Sequence, residues 1–214
     1  MYRLLRFLFF NLFVRFFVLV LLGLNVRHRE RLPARGPAIL VANHNSHLDT
    51  MVLMTLLSPR LLPQVQPVAA MDYFLRNRLL AWFALKIVGI LPLKRQRKEP
   101  GEDPLAPVHQ ALDQGRVLIF FPEGSRGEPE KLSDIKTGIA RLAERHPAVP
   151  VIPVYLHGLG KALPKGEALF VPFFCDVFVG EALGWVADRK GYMTQLENAF
   201  RNLAAEGDFS TWEM

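Results

Sequence analysis

Three short apolar runs constrain the fold of this chain more than any other feature. Ala38–Ala42, Val117–Phe121 and Val151–His157 each have the length of one β-strand, and helix-like stretches lie between them. Val117–Phe121 has no polar member, as expected of a strand covered on both faces of a sheet. Shorter strand-like runs occur at Pro67–Met71 and Ile90–Lys94, and one or two more within Leu169–Gly180. Helical patterns occupy His47–Leu57, Tyr73–Lys86, Asp103–Gln114 (closed by Gly115), Ser133–Arg145 (with Ser133 as cap) and Asp188–Ala205 (with Asp188 as cap). This alternation predicts an α/β domain built on a mixed, largely parallel sheet flanked by helices. A chain of 214 residues holds one such domain with a substantial core and is too short for two large ones. Gln96–Pro104, charged and bearing Pro and Gly, reads as a solvated loop rather than a boundary.

The first 26 residues have a different character. They are dense in Leu, Phe and Val, broken by Arg3, Arg6, Asn11 and Arg15, and free of charge from Phe16 to Val26. No small-residue cleavage pattern follows, so a removed signal peptide is not expected. Arg15 makes a simple spanning helix costly. Basic residues stand at both ends: Arg3 and Arg6 before, then Arg27, Arg29, Arg31 and Arg35 after. That arrangement fits a helical segment entering one leaflet from the cytoplasmic side, which in a bacterium means the inner membrane. A tilted span and a helix buried in a soluble core are the two other readings.

Half the residues are hydrophobic, 16 are Phe, and the formal net charge is +6. The charge points to an anionic partner, and the apolar content to membrane lipid. No zinc-finger spacing, basic repeat or aromatic RNA-binding signature is present, so nucleic acid is not expected. The single Cys175 rules out an intramolecular disulfide and suits a reducing compartment.

The loop after Ala38–Ala42 reads Asn43-His44-Asn45-Ser46-His47-Leu48-Asp49. A helix starting at about Ser46 would form a capping box from Ser46 and Asp49. The Asp49 carboxylate would then lie in the first helical turn, within reach of His44. An imidazole held neutral by a carboxylate can take a proton from a substrate hydroxyl. Two other readings stand beside this one. Ser46 and Asp49 could serve only as caps, or His44, His47 and Asp49 could bind a metal, although there is no His-Glu-x-x-His and no helical spacing of the two histidines.

The loop after Val117–Phe121 continues Pro122-Glu123-Gly124-Ser125-Arg126-Gly127. Its glycines allow close backbone approach to a ligand, Arg126 offers a fork of donors suited to phosphate, and Lys136 follows nearby. It is neither a Walker loop nor a nucleophile elbow, since no Gly-Lys-Ser/Thr closes it and Glu123 stands where the elbow needs glycine. Taken alone, such a loop is most often a plain turn. Gly89-Ile90-Leu91-Pro92-Leu93-Lys94-Arg95 delivers two cations to the end of another strand. Pro150–Tyr155 is an apolar strand framed by prolines, read as structural support or as a wall of an acyl-chain site.

These four blocks, in this order, resemble the glycerolipid (lysophosphatidic acid) acyltransferase family. Its first motif, Asn-His-x-x-x-x-Asp, is matched by Asn43, His44 and Asp49. Its second is matched by Gly89, Leu93 and Arg95, with Pro92 where an aromatic residue is usual. Its third is matched by Phe121 to Arg126, with Gly127 where serine is common, and its fourth by Pro150 to Val154. The resemblance implies an acyltransferase domain over residues 27–214, behind a membrane-associating segment over 1–26. It implies transfer of a fatty acyl group from an acyl thioester to a lysophospholipid hydroxyl, foremost that of 1-acylglycerol 3-phosphate. Glycerol 3-phosphate or another lysolipid acceptor and a non-catalytic lipid-binding protein are the alternatives. By the same resemblance His44 and Asp49 are catalytic. Arg95, Arg126 and Lys136 would hold the acceptor phosphate, Glu123 would lie in the acceptor site, and the N–H groups of Gly124 and Ser125 would face the oxyanion. No cofactor is implied; acyl-CoA or an acylated acyl carrier protein would be the co-substrate.

Overall fold

The computed structural model describes residues 2–74, 77–94, 103–125, 127, 133–162, 174–207 and 209. Among the described residues seven strands form one sheet: β1 (Gly23–Arg27), β2 (Ala38–Ala42), β3 (Val65–Ala70), β4 (Leu91–Leu93), β5 (Val117–Phe120), β6 (Val151–His157) and β7 (Phe174–Val179). Their spatial order is β1-β7-β6-β2-β5-β3-β4. Every pairing is parallel except β6 with β7. The sheet is therefore mixed and largely parallel, and the carboxyl ends of β6, β2 and β5 lie side by side on one rim. That rim is where open α/β sheets gather their chemistry.

Successive side chains of a strand point to opposite faces, and β2 obeys this with apolar residues both ways. Ala38, Leu40 and Ala42 join one core, whereas Ile39 and Val41 join the other. All five are fully buried, which is why this strand reads as a continuous apolar run. The first core packs under α1 (Tyr2–Leu8), α2 (Arg15–Leu21) and α3 (Leu48–Leu56). On this side, too, lies the stretch α4 (Met71–Phe74), α5 (Arg78–Trp82) and a π-helical Phe83–Val88, from which Ala84 and Val88 enter the core. The second core packs under α6 (Ala106–Asp113), α7 (Gly138–Arg145) and α9 (Arg189–Ala205), whereas the short α8 (Leu159–Ala162) after β6 puts Leu159 and Ala162 into the first. Asp188 caps α9 as expected, accepting the Gly191 N–H at 2.8 Å.

The N-terminal segment is helical only to Leu21, with a π-helical stretch (Phe9–Val14) between α1 and α2. The expected helical run to Val26 is thus corrected: Gly23–Arg27 is strand β1, paired in parallel with β7. The cause is tertiary, because Leu24 and Val26 alternate toward the first core and find backbone partners on β7. Phe10, Val14 and Val18 recur every fourth residue and, with Leu22, are buried against the sheet. At about 1.5–3 kcal/mol for each fully buried large apolar side chain, this stripe is enough to hold the segment on the body. The opposite side leaves Leu12 and Phe13 each 67% exposed, with Leu4, Phe7, Phe16 and Leu19 also open to solvent. Among the described residues no helix is long and apolar enough to cross a membrane.

Several helix boundaries move from where the sequence pattern puts them, the start of α6 among them, at Ala106 rather than Asp103. Tyr73–Lys86 is divided, because Asn77 accepts the N–H groups of Leu79 and Leu80 and starts a new helix. The helix after the histidine loop begins at Leu48 rather than Ser46. Ser133 is not the cap of α7, which starts at Gly138. Instead, the Lys136 N–H is tied to the Pro122 carbonyl at 3.0 Å, drawing residues 133–136 out as a loop beside the rim.

Candidate active site

Asp49 enters the first turn of α3 fully buried, and its Oδ2 gathers three donors. The Nδ1–H of His44 donates to it at 2.9 Å, the Asn45 N–H at 2.7 Å and the Ser46 N–H at 2.8 Å. The Ser46 bond is one half of the expected capping box. In the other half, Ser46 Oγ takes the Leu48 N–H at 3.3 Å instead of that of Asp49. Burial pushes the Asp49 carboxyl above the usual carboxylate range, opposed by His44 and by the N–H groups of Ser46 and Asn45. Its Oδ1 is buried and accepts no hydrogen bond among the described residues. With the proton fixed on Nδ1, Nε2 carries the ring's basic lone pair. The His44 side chain is 18% exposed, enough to reach a substrate while remaining held.

Two other strands secure the loop. Asn43 and the Leu156 peptide exchange a pair of bonds: Asn43 Nδ2 donates to the Leu156 carbonyl at 2.8 Å, and the Leu156 N–H donates to Asn43 Oδ1 at 2.7 Å. The motif asparagine therefore stitches the end of β2 to β6. From the β5 side, the Phe121 ring stacks on the His44 ring with centroids 4.1 Å apart. Neither contact is readable from the sequence, because both depend on which strands flank β2.

Glu123 is 4% exposed. Its Oε1 accepts the His44 N–H at 2.8 Å and its Oε2 the Ser133 N–H at 3.3 Å. Burial raises its carboxyl above the ordinary range, opposed by the His44 N–H and by the Ser133 side chain and N–H. Gly124 sits at φ +74°, a left-handed conformation that favours glycine, and the Lys136 ammonium lies 2.6 Å from where a Cβ would stand. The Gly124 N–H donates to the Phe121 carbonyl at 3.1 Å. This corrects the expectation that it faces the oxyanion and leaves the N–H of exposed Ser125 as the donor candidate. Arg95 and Arg126 lie outside the described residues. β4 runs parallel to β3 and ends at Leu93. His47 is exposed, and among the described residues no three His, Cys, Asp or Glu side chains are grouped to hold a metal ion. An apolar cleft of about 190 Å³, lined by Phe9, Phe13, Val14, Phe17, Leu48 and Met51, opens where the N-terminal helices meet the start of α3.

The rim thus presents a histidine held by a buried carboxylate, an ammonium against the Gly124 turn and an apolar cleft next to the helix that follows the histidine loop. A model of the Acyltransferase family matches residues 23–157, well over half of the chain, and spans all of these groups except the N-terminal side of the cleft. The chain belongs to the acyltransferase family.

This family member is 33% identical over 145 residues to a chloroplastic 1-acyl-sn-glycerol-3-phosphate acyltransferase of Arabidopsis thaliana, covering 67% of this chain and 38% of the relative. It is 27% identical over 160 residues to the human 1-acyl-sn-glycerol-3-phosphate acyltransferase alpha, covering 72% of this chain and 52% of the relative. With the lyso-ornithine lipid O-acyltransferase of Rhizobium meliloti it shares 28% identity over 138 residues, 63% of this chain and 42% of that one. The acyltransferase-family chain therefore spans only about four-tenths to a half of the length of these relatives. The crystal structure of the 1-acyl-sn-glycerophosphate acyltransferase PlsC from Thermotoga maritima has the same fold. Its TM-score is 0.75 at 21% identity, over 98% of this chain and 81% of that one.

Proposed function

We propose that the protein is a membrane-associated O-acyltransferase, moving a fatty acyl group from an acyl thioester to the hydroxyl of a lysophospholipid. 1-Acylglycerol 3-phosphate is the foremost acceptor and phosphatidic acid the product. The observation that carries this reading is the His44–Asp49 pair at the sheet rim, with Nδ1 held at 2.9 Å by the carboxylate, which leaves Nε2 as the acceptor nitrogen of the ring. His44 Nε2 takes the proton of the acceptor hydroxyl as that oxygen attacks the thioester carbonyl. The tetrahedral adduct then expels the thiolate, which receives the proton back from the imidazolium. Asp49 stays ionised and balances the transient charge, as the carboxylate does in a Ser-His-Asp triad, with the substrate oxygen in place of serine.

Arg95, Arg126 and Lys136 are assigned to the acceptor phosphate, and the Ser125 N–H to the developing oxyanion. No cofactor takes part; acyl-CoA or acyl carrier protein is the donor. The apolar cleft beside Leu48 is the natural berth for the acyl chain, since it is walled on one side by the N-terminal helices. The outward apolar face of those helices supports docking into one leaflet from the cytoplasmic side, which brings the rim to lipid substrates. The domain limits that go with this reading are a membrane-docking segment ahead of β1 and a single acyltransferase domain after it.

A second acceptor class is favoured by one observation. A relative is named for lyso-ornithine lipid, whose headgroup carries no phosphate. The decisive assay offers the purified protein 1-acylglycerol 3-phosphate, glycerol 3-phosphate and lyso-ornithine lipid, each with palmitoyl-CoA and palmitoyl acyl carrier protein, scored by product mass. Phosphatidic acid is expected, with none formed by His44→Ala. Undiminished transfer by that variant overturns the mechanism.

A further inference from the structure

Among the rim side chains, Glu123 spends its charge in an unusual direction. Both carboxylate oxygens are aimed at main-chain N–H groups, one of them that of His44 itself at 2.8 Å. Three residues after the Gly124 turn the same loop returns, and the Gly127 N–H donates to the His44 carbonyl at 3.0 Å. The main chain of His44 is therefore gripped at its N–H and at its C=O by one segment, whose Phe121 also stacks on the ring. Turning Glu123 toward a substrate would strand the His44 N–H without a partner, at a cost of about 1–3 kcal/mol.

We infer that Glu123 is a positioning residue that acts through His44 and does not contact the acceptor. Its clasp and that of Gly127 bracket Ser125 and Arg126 in sequence. An anion drawn to that stretch is thus coupled mechanically to the place of the general base. The coupling matters because a misplacement of about 1 Å in a reacting group costs on the order of 100-fold in rate. This inference rests on the reading of His44 as the base.

The test compares Glu123→Ala, Glu123→Asp and Glu123→Gln, measuring kcat and the KM for the lysophospholipid, together with hydrogen exchange at the His44 amide. Alanine removes the acceptor. Aspartate keeps the charge but falls one methylene short of the His44 N–H. Both are expected to lower kcat by about 100-fold with the acceptor KM within twofold. Glutamine keeps a carbonyl for that N–H and recovers at least about tenfold of the loss. Exchange at the His44 amide should accelerate at least about tenfold in the alanine and aspartate variants and change little in the glutamine one. A tenfold rise in acceptor KM with kcat retained, or a His44 amide as protected in Glu123→Asp as in the parent, overturns the inference. The exchange measurement needs no turnover, so it decides the matter for Glu123 even if the parent protein transfers nothing and the proposed function fails. Should Glu123→Ala not fold, the charged and amide variants still separate reach from charge.

Discussion

Asp49 Oδ2 and His44 Nδ1 are 2.9 Å apart, and the same oxygen closes the first turn of α3 by accepting the Asn45 and Ser46 N–H groups. One atom thus fixes both the tautomer of His44 and the entry of the helix that follows it. Under the proposed function a change at this carboxylate has a catalytic and a structural consequence, and the two can be measured separately.

Asp49→Asn preserves size and removes the charge. It is expected to lower kcat by roughly 10³–10⁴-fold, because Nδ1–H loses the acceptor that fixes the tautomer. Stability should respond differently. The folded-state carboxyl is raised by burial, so its stabilising contribution is complete below the unfolded value of 3.8 and is lost as pH rises through the higher folded value. Urea midpoints of the parent minus those of Asp49→Asn should therefore fall as pH rises from 3.8 through that window. A difference that grows with pH contradicts the assignment.

Asn43→Ala removes the amide that pairs with the Leu156 peptide. The buried Leu156 N–H is left without its partner, and a loss of about 1–3 kcal/mol in unfolding free energy is expected. The Leu156 carbonyl retains a weaker bond from Asn45 Nδ2 at 3.3 Å. A denaturant titration showing no change would mean that β6 does not anchor the histidine loop.

The outward apolar face of the N-terminal helices can be tested without touching the core. Leu12 and Phe16 are 67% and 64% exposed, so Leu12→Glu with Phe16→Glu should leave the thermal midpoint within a few degrees. Co-sedimentation with phosphatidylglycerol vesicles should drop about tenfold or more, since two charges now face the hydrocarbon. Equal pelleting of variant and parent would remove this face as the docking surface.

Away from the rim, His109 and His146 tie α6 to the end of α7 through a ring-nitrogen contact of 2.9 Å. Asp103 lies 3.4 Å from His109, and Asp113 lies 3.7 Å from His146. Burial, with Arg145 next, lowers the His109 pKa below its ordinary 6.5, against the opposing pull of Asp103. A lowered folded-state value means this contribution is complete above pH 6.5 and is lost as pH falls from there toward the folded value. Thermal midpoints should decline by a few degrees between neutral and mildly acid pH, and His109→Gln should flatten that decline. An unchanged slope in the variant rules the pair out as its source.

Much of the site was legible before any tertiary information. His44 and Asp49 are five positions apart, so one strand end and one helical turn suffice to bring them together. Where partners come from elsewhere in the chain, the local pattern does not announce them. Glu123 accepts the N–H of His44, 79 positions away. Ser133 looks like a helix cap because serine before an apolar period usually is one. Here its N–H is drawn to Glu123, and α7 starts five residues later. Gly124 looks open to a ligand, but its N–H closes its own turn on Phe121.

The amino-acid sequence alone determined the α/β class, the bounds of β2 and β6, the cap of α9 and the histidine–carboxylate pair. Each is set by periodicity or by hydrogen bonds within a few residues, and neighbours along the chain carry that information. Only the tertiary structure decided that β2 lies between β6 and β5, that β7 runs against β6, and that residues 23–27 join the sheet instead of prolonging the helix. Those outcomes depend on which distant strand edges pair and which faces exclude water together. From the strand order follow Asn43 on Leu156, Phe121 against His44, and Glu123 holding the main chain of His44.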